Sequence, residues 1–355
     1  MKTVYSSLLS AFLLCCCFIL ACKEDDSPGR FPLASAYNID EGMLARAFDK
    51  IQEIEDIASL VVCRNGVIVA EEYYNGYRSD SIKNVMSVTK TVTSLLVGLA
   101  LDKGYIDDIH DPISKYLTGI VTFPDEVKAN ITIEQMLTMT FGHAWNGTKS
   151  ESLYSTWAST EDHLQYIIDL PLSWPPGTVF NYSDGASHLL SVIITEATGT
   201  NTFDFALQVL FQPLGIVDAV WPADDKGYPN GAASLKISPH DMVKIGNLIL
   251  NGGRYNGFQL VPESWIKAMT TPQINTNNDV WYGPEYGYQL WINTTVAPTC
   301  YFAMGWGGQF IFIVPDHKLV VTASCQTAGL TWQQAGENWT GIIQTIVNDI
   351  FPAVR

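Results

Sequence analysis

Basic residues are scarce in this sequence: 20 lysines and arginines stand against 36 acidic side chains, for a formal charge of −16 over 355 residues. No basic run occurs anywhere. A phosphate backbone is held by clustered Lys and Arg, so a nucleic-acid partner is excluded, and an anionic surface is disfavoured for the same reason. Charge of either sign is sparse, at 16% of residues against 47% apolar, which rules out a disordered or fibrous chain. The length is enough for one large domain or two of medium size, each with a substantial core. Internal repeats and low-complexity tracts are absent. His110, His143, His163, His188, His240 and His317 are scattered, and no pair has metal-ligand spacing with a third partner. With no Gly-rich phosphate loop either, no metal and no cofactor is expected. His143 and His188 are candidates to line a cleft, though a structural role suits them better.

Long apolar runs are missing except at the start, where Met1-Lys2 leads into Leu8 to Ala21. That run is short for a membrane span and reads as a secretory signal. Ile19-Leu20-Ala21-Cys22 resembles a bacterial lipobox, in which Cys22 is lipidated and becomes the new N-terminus. The acidic Lys23-Glu24-Asp25-Asp26 resembles the export signal of surface lipoproteins. The expected location is therefore the bacterial cell envelope, an outer membrane reached through the N-terminal lipid only.

Cysteine is also sparse beyond this segment. Cys15, Cys16, Cys17 and Cys22 belong to it, leaving Cys63, Cys300 and Cys325, an odd number that cannot all pair within the chain. Simple register around a turn near Pro315-Asp316-His317 puts Cys325 opposite about residue 307 and far from Cys300. Buried free thiols are expected.

Residues 23 to about 38 are polar with Ser, Pro and Gly, and predict a tether, with the globular domain at 39–355. Asp40 is placed to cap a helix carrying Leu44, Phe48, Ile51 and Ile54. Ile342, Ile343, Ile346, Val347 and Ile350 repeat the helical spacing near the end. Two hairpins are predicted, one around Arg64-Asn65-Gly66 and one around Pro315-Asp316. A sheet drawn from both ends follows, with a mostly helical subdomain inserted at about 87–250. The fold class is thus α+β, an antiparallel sheet flanked by N- and C-terminal helices. Tyr286, Tyr288 and Leu290 alternate as one aromatic-rich strand face, mainly core, with some rings available to wall an acyl pocket.

Three segments carry chemistry. In Met86-Ser87-Val88-Thr89-Lys90, positions i and i+3 share a helix face, so Lys90 can aim its amine at the Ser87 hydroxyl while the helix N-terminus adds positive potential. Such a lysine works as a base only when neutral, which burial favours. Asn181-Tyr182-Ser183-Asp184 follows a Pro/Gly-rich approach, and Tyr182 and Asp184 can point to one side as a proton-relaying phenol and a carboxylate. In Gly305-Trp306-Gly307-Gly308-Gln309, the glycines allow close approach of a ligand to the backbone, and an N–H there opposite that of Ser87 makes a two-donor oxyanion hole.

Taken in this order, the segments resemble the serine beta-lactamase and penicillin-recognising superfamily, whose signature runs Ser-x-x-Lys, Tyr-x-Asn, Lys-Thr-Gly. The nearest likeness is to its class C-like branch, which includes family VIII carboxylesterases, D-stereospecific peptidases and 6-aminohexanoate-dimer hydrolase. It covers about residues 40 to 350. The resemblance implies a beta-lactamase/transpeptidase-like fold, Ser87 as nucleophile, Lys90 and Tyr182 sharing base and acid roles, and the N–H groups of Ser87 and Gln309 as the oxyanion hole.

Two positions depart from the pattern. Asp184 replaces the asparagine, and a carboxylate cannot donate to a substrate carbonyl. Trp306 replaces the lysine that holds a beta-lactam carboxylate. Both substitutions favour a neutral or amine-bearing ester or amide, a small molecule or short peptide, over an anionic beta-lactam. The expected activity is that of a lipid-anchored serine hydrolase, an esterase or amidase. A D-stereospecific peptidase, penicillin-binding protein or beta-lactamase is the alternative within enzymes, and a catalytically silent binding lipoprotein the alternative outside them.

Overall fold

The computed structural model describes residues 29–145, 153–280, 282–295 and 297–355. Cys22, with the expected signal peptide and lipobox, lies outside the described residues.

Asn65 and Gly66 both take positive φ, 52° and 78°, the conformation a two-residue hairpin turn demands. They join β1 (Ile57–Arg64) to β2 (Val67–Tyr73). After β3 (Lys83–Asn84) the chain is dominated by helices up to Pro239–Leu250, interrupted by β4 (Lys236–Ile237), which pairs with β3. A small hairpin, β5 (Arg254–Tyr255) and β6 (Phe258–Gln259), precedes β7 (Ile274–Val280), β8 (Gly283–Tyr286), β9 (Trp291–Asn293), β10 (Cys300–Gly305), β11 (Gln309–Val314) and β12 (Leu319–Cys325).

The main sheet runs β2-β1-β12-β11-β10-β9-β8-β7, each strand antiparallel to its neighbour. The two ends of the chain thus meet within it as neighbouring strands β1 and β12, with Val62 opposite Val321. Period-two alternation sends Leu60, Val62, Phe310, Phe312, Val321 and Ala323 into one core, under the helices Glu41–Gln52 and Trp332–Thr345. Val61, Cys63, Ile311, Ile313 and Val320 go into the other, with the helices Thr89–Asp102, Asp184–Thr198 and Pro239–Leu250. Asp40 caps the first of these helices through Met43 N–H, and Ser238 and Asp241 form a capping box on the last. Among the described residues no helix is long and apolar enough to cross a membrane.

Two expectations are corrected. Pro32–Ala36, read as tether, is a short helix: Phe31 packs at a tilt against Phe48 at 4.5 Å, Ala34 is buried, and apolar contact outweighs the polar composition around it. The alternation from Tyr286 to Leu290 is not one strand. β8 ends at Tyr286, Gln289 takes a φ of 58°, and Gly287 N–H closes the turn on Leu290 O. Tyr286 therefore enters one core while Tyr288 and Leu290 enter the other.

Cys63, Cys300 and Cys325 are free and buried. The β11–β12 register sets Phe310 opposite Ala323, so Cys325 comes against Gly308, whose added Cβ would meet its sulfur at 2.7 Å. Burial pushes the Cys300 and Cys325 thiols up to about 12, which makes them inert as nucleophiles at neutral pH.

Candidate active site

Ser87 sits in a tight corner. Asn84 Oδ1 accepts from Met86 N–H at 2.8 Å, and Met86 takes a φ of 50°, a left-handed conformation that an unbranched side chain adopts only under constraint. The chain then enters a 3-10 turn, Met86–Val88, that feeds straight into the Thr89–Asp102 helix. The end of β10 closes on this corner: a Cβ on Gly305 would lie 2.5 Å from Val85 O and 3.0 Å from Met86 Cβ. Only glycine permits that approach. Gly305 is paired with Gln309, so the Gln309 backbone is carried beside the Ser87 segment. Gly307 and Gly308, with φ of 75° and 112°, make the turn between them.

Lys90, one turn after Ser87, is 1% exposed. Its Nζ donates to Ser87 Oγ at 2.9 Å, to Asp184 Oδ1 at 2.7 Å and to Ala232 O at 2.9 Å. A carboxylate and a peptide carbonyl can only accept, so two of these contacts are N–H donations from Lys90, while the Ser87 hydroxyl can serve either as acceptor or as donor. Electrostatics decide the charge. Burial opposes the charge, but the adjacent Asp184 carboxylate outweighs it and holds the amine above its ordinary range. The neutral lysine expected from burial alone is corrected by that partner.

Asp184 opens the Asp184–Thr198 helix, after Ser183 as its cap. Its second oxygen accepts from Trp145 Nε1 at 3.3 Å. Trp145 is held in turn by Asn181 Oδ1, which accepts from its backbone N–H at 2.7 Å. Asp184 is thus turned inward onto Lys90 and Trp145, and the substrate-facing role expected for it is corrected. Tyr182 faces both Ser87 and Lys90, and Lys90 Nζ lies 4.8 Å from its ring centre. Burial raises the phenol further than the neighbouring ammonium lowers it, so Tyr182 rests as a neutral hydroxyl. Its ring stacks on Trp291 at 5.6 Å and 19°.

Trp306, at the expected position beside the glycine turn, packs edge-on against Trp332 at 4.2 Å and Trp339 at 5.6 Å. Trp339 Nε1 donates to Gly305 O at 2.9 Å, and Trp332 is 70% exposed. Gln309 uses its side chain to hold Cys325 O at 3.0 Å. His143 and His188 are both buried, at 2% exposure each.

Trp145 and Ala232 carried no signal in the sequence. Ala232 reaches Lys90 because the loop before it is stitched to two helices: Thr93 Oγ1 donates to Gly231 O, Ser191 Oγ donates to Pro229 O, and a Cβ on Gly231 would strike Ser187 O at 2.4 Å. Those contacts join residues far apart in the chain, and no spacing rule anticipates them.

The geometry is that of a serine beside a buried lysine and a tyrosine on an antiparallel sheet with an inserted helical layer. Residues 44–342 match the Beta-lactamase family, and the chain belongs to it. The 6-aminohexanoate-dimer hydrolase of Paenarthrobacter ureafaciens is 21% identical over 245 residues, 64% of this chain and 61% of that enzyme. The D-alanyl-D-alanine-carboxypeptidase/endopeptidase AmpH of Escherichia coli (strain K12) is 27% identical over 182 residues, 50% of this chain and 46% of that protein. The chain therefore spans less than two thirds of the length of either. Among solved structures, EstCE1, a hydrolase with promiscuous acyltransferase activity, superposes with a TM-score of 0.70 at 17% identity, covering 87% of this chain and 99% of that one. The octameric penicillin-binding protein homologue from Pyrococcus abyssi gives 0.67 at 18% identity, covering 87% and 77%. At such identities the superpositions establish the fold.

Proposed function

We infer that this protein is a serine hydrolase that cleaves a neutral ester or amide through an acyl-enzyme on Ser87. The observation that carries the reading is the Ser87 Oγ to Lys90 Nζ contact of 2.9 Å, with the Tyr182 ring beside Lys90 at 4.8 Å. Ser87 Oγ attacks the carbonyl carbon while its proton passes into the Lys90–Tyr182 pair, which returns a proton to the leaving group. The N–H groups of Ser87 and Gln309 take the developing oxyanion. Water then repeats the sequence on the acyl-enzyme.

A neutral substrate is favoured because the rim beside the glycine turn carries Trp306, Trp332 and Trp339, which offer aromatic faces and no cation for a carboxylate. The hydrolase names among the relatives support the reaction class. The test is a serine-reactive phosphonate followed by intact-mass analysis, together with a screen of short-chain p-nitrophenyl esters, linear amides, D-alanyl peptides and a chromogenic cephalosporin. A single adduct on Ser87 and turnover of neutral esters or amides is the expected result. Preferred cleavage of the D-alanyl peptides would move the assignment to a peptidase, and no adduct with no turnover would make the chain a silent binding protein.

The same reading includes attachment to the bacterial outer membrane through lipidated Cys22, on the strength of the Ile19-Leu20-Ala21-Cys22 tetrad. Metabolic labelling with a fatty-acid analogue should mark the wild type and spare Cys22→Ala; unlabelled, freely secreted wild-type protein would defeat it.

A further inference from the structure

The Asp184 carboxylate, paired with Lys90 at 2.7 Å, holds it in the charged form, and burial keeps Tyr182 a neutral phenol, so neither group beside Ser87 is a free base at rest among the described residues. The one carboxylate bonded to Lys90 among the described residues is Asp184, at 2.7 Å. Its placement is built: the carboxylate is 15% exposed, its second oxygen is held by Trp145, and that residue's backbone is held by Asn181. We propose that Asp184 is the proton store of this site, taking a proton from Lys90 as Lys90 takes the proton of Ser87. The proposal rests on the acyl-enzyme reading above and deepens it.

The step balances. The Ser87 O–H bond breaks and an Nζ–H bond forms; a second Nζ–H bond breaks and an Oδ1–H bond forms on Asp184. Ser87 Oγ bonds to the carbonyl carbon, whose π pair moves onto the substrate oxygen. Lys90 remains an ammonium throughout, and the negative charge that sat on Asp184 reappears on the oxyanion. On collapse, the leaving group takes a proton from Lys90 by way of the Tyr182 hydroxyl, and Asp184 returns its proton to Lys90. Charge moves across the buried knot without being created in it, which avoids the cost of an unpaired buried ion. An asparagine at 184 has no basic oxygen for this role, and Lys90 would then have to rest as an amine.

The other titratable groups in the field of the pair do not compete. Tyr182, Tyr154 and Tyr286 are kept as neutral phenols by burial. His188, one turn further along the same helix, is pushed down to about 4 by burial and faces Asp224 and His163.

The test is the pH dependence of kcat/KM for a neutral ester in wild type, Asp184→Asn and Asp184→Glu, with the rate of phosphonate labelling of Ser87 as a second readout. In wild type, activity requires only that Asp184 be unprotonated, and the acid limb of the profile is the reference for both variants. In Asp184→Asn the limb should move up, because the proton must then be taken by the amine of Lys90 in place of a carboxylate. Asp184→Glu should keep the wild-type limb at a reduced rate. An acid limb that moves down in Asp184→Asn would mean that Asp184 merely keeps Lys90 charged, and an unmoved limb that it is structural; either overturns the proposal. If Asp184→Asn does not fold, Trp145→Phe keeps the carboxylate but removes its indole donor, and should raise the wild-type limb; an unmoved limb counts against the proposal there too. Wild-type protein that gives no Ser87 adduct would remove the acyl-enzyme reading and this one together, whereas normal labelling with an unmoved limb removes only this one.

Discussion

Two kinds of buried polar group occur within one subdomain, and they resolve the cost of burial in opposite ways. Lys90 is enclosed with a carboxylate, a hydroxyl and a peptide carbonyl, and keeps its charge. His143 and His188 are enclosed among aromatic rings, Phe141 at 4.3 Å and Trp157 at 5.4 Å, and give theirs up. A second contrast sets the Lys90–Asp184 ion pair against the tryptophans Trp306, Trp332 and Trp339, which pack on one another. The lesson is that burial does not fix a protonation state; the partner does.

The severest way to break the comparison is to remove the paired side. Lys90→Ala and Tyr182→Phe should each lower kcat by several orders of magnitude, and the double variant hardly more, since groups acting as one unit are not additive. Steady-state kinetics on an ester read this directly, and clean additivity would separate the two residues into independent roles. Lys90→Ala also leaves Asp184 buried beside Trp145 without its cation, so a lower melting temperature should accompany the lost activity.

Next in size is the aromatic side. Trp306→Lys supplies a cation where a substrate carboxylate would lie, and a charge-assisted hydrogen bond of about 1.5 to 3 kcal/mol corresponds to roughly a ten- to hundredfold gain for an anionic substrate. The ratio of cephalosporin to neutral-ester kcat/KM should rise accordingly. Because Asp184 is engaged by Lys90 and Trp145, the single substitution should suffice. A ratio that does not move would detach Trp306 from selectivity.

The smallest effect belongs to the neutral histidines. Burial pushes His188 down to about 4 and His143, with Lys128 adding to the effect, to about 3. A histidine depressed in the folded state binds fewer protons there than in the unfolded chain, so its contribution is intact above about pH 6.5 and is lost as pH falls toward the folded value. At pH 5 that amounts to roughly 1 to 2 kcal/mol per histidine. Denaturant midpoints measured from pH 7 to pH 5 should fall, and His188→Phe should flatten part of the decline. A midpoint independent of pH across that range would contradict the neutral assignment.

Much of the architecture was legible from local chemistry. Asn65-Gly66 specified a hairpin whose two residues take positive φ, and Asp40 was read as a cap and is one. The hairpin predicted around Pro315-Asp316 is formed by β11 and β12, whose residues bury opposite faces. Where alternation misled, from Tyr286 to Leu290, a turn at Gly287 to Gln289 had reset the pattern. Period alone does not record which side of a turn a residue occupies. In the site, Ser87 and Lys90 were paired by the spacing of one helical turn, a relation contained wholly within five residues.

What the sequence determined by itself is therefore what depends on neighbours in the chain: the hairpins, the caps, the serine one turn from its lysine, and the replacement of an asparagine by Asp184 and a lysine by Trp306. What only the tertiary structure decided is the protonation of Lys90 and the side to which Asp184 turns. Asp184 lies 94 residues and Ala232 142 residues from Lys90 in sequence, and both touch it. The state of a buried charge is set by the few acceptors within about 3 Å of it, because Coulomb and hydrogen-bond energies are concentrated at contact. Those contacts exist only once the helices carrying them have packed.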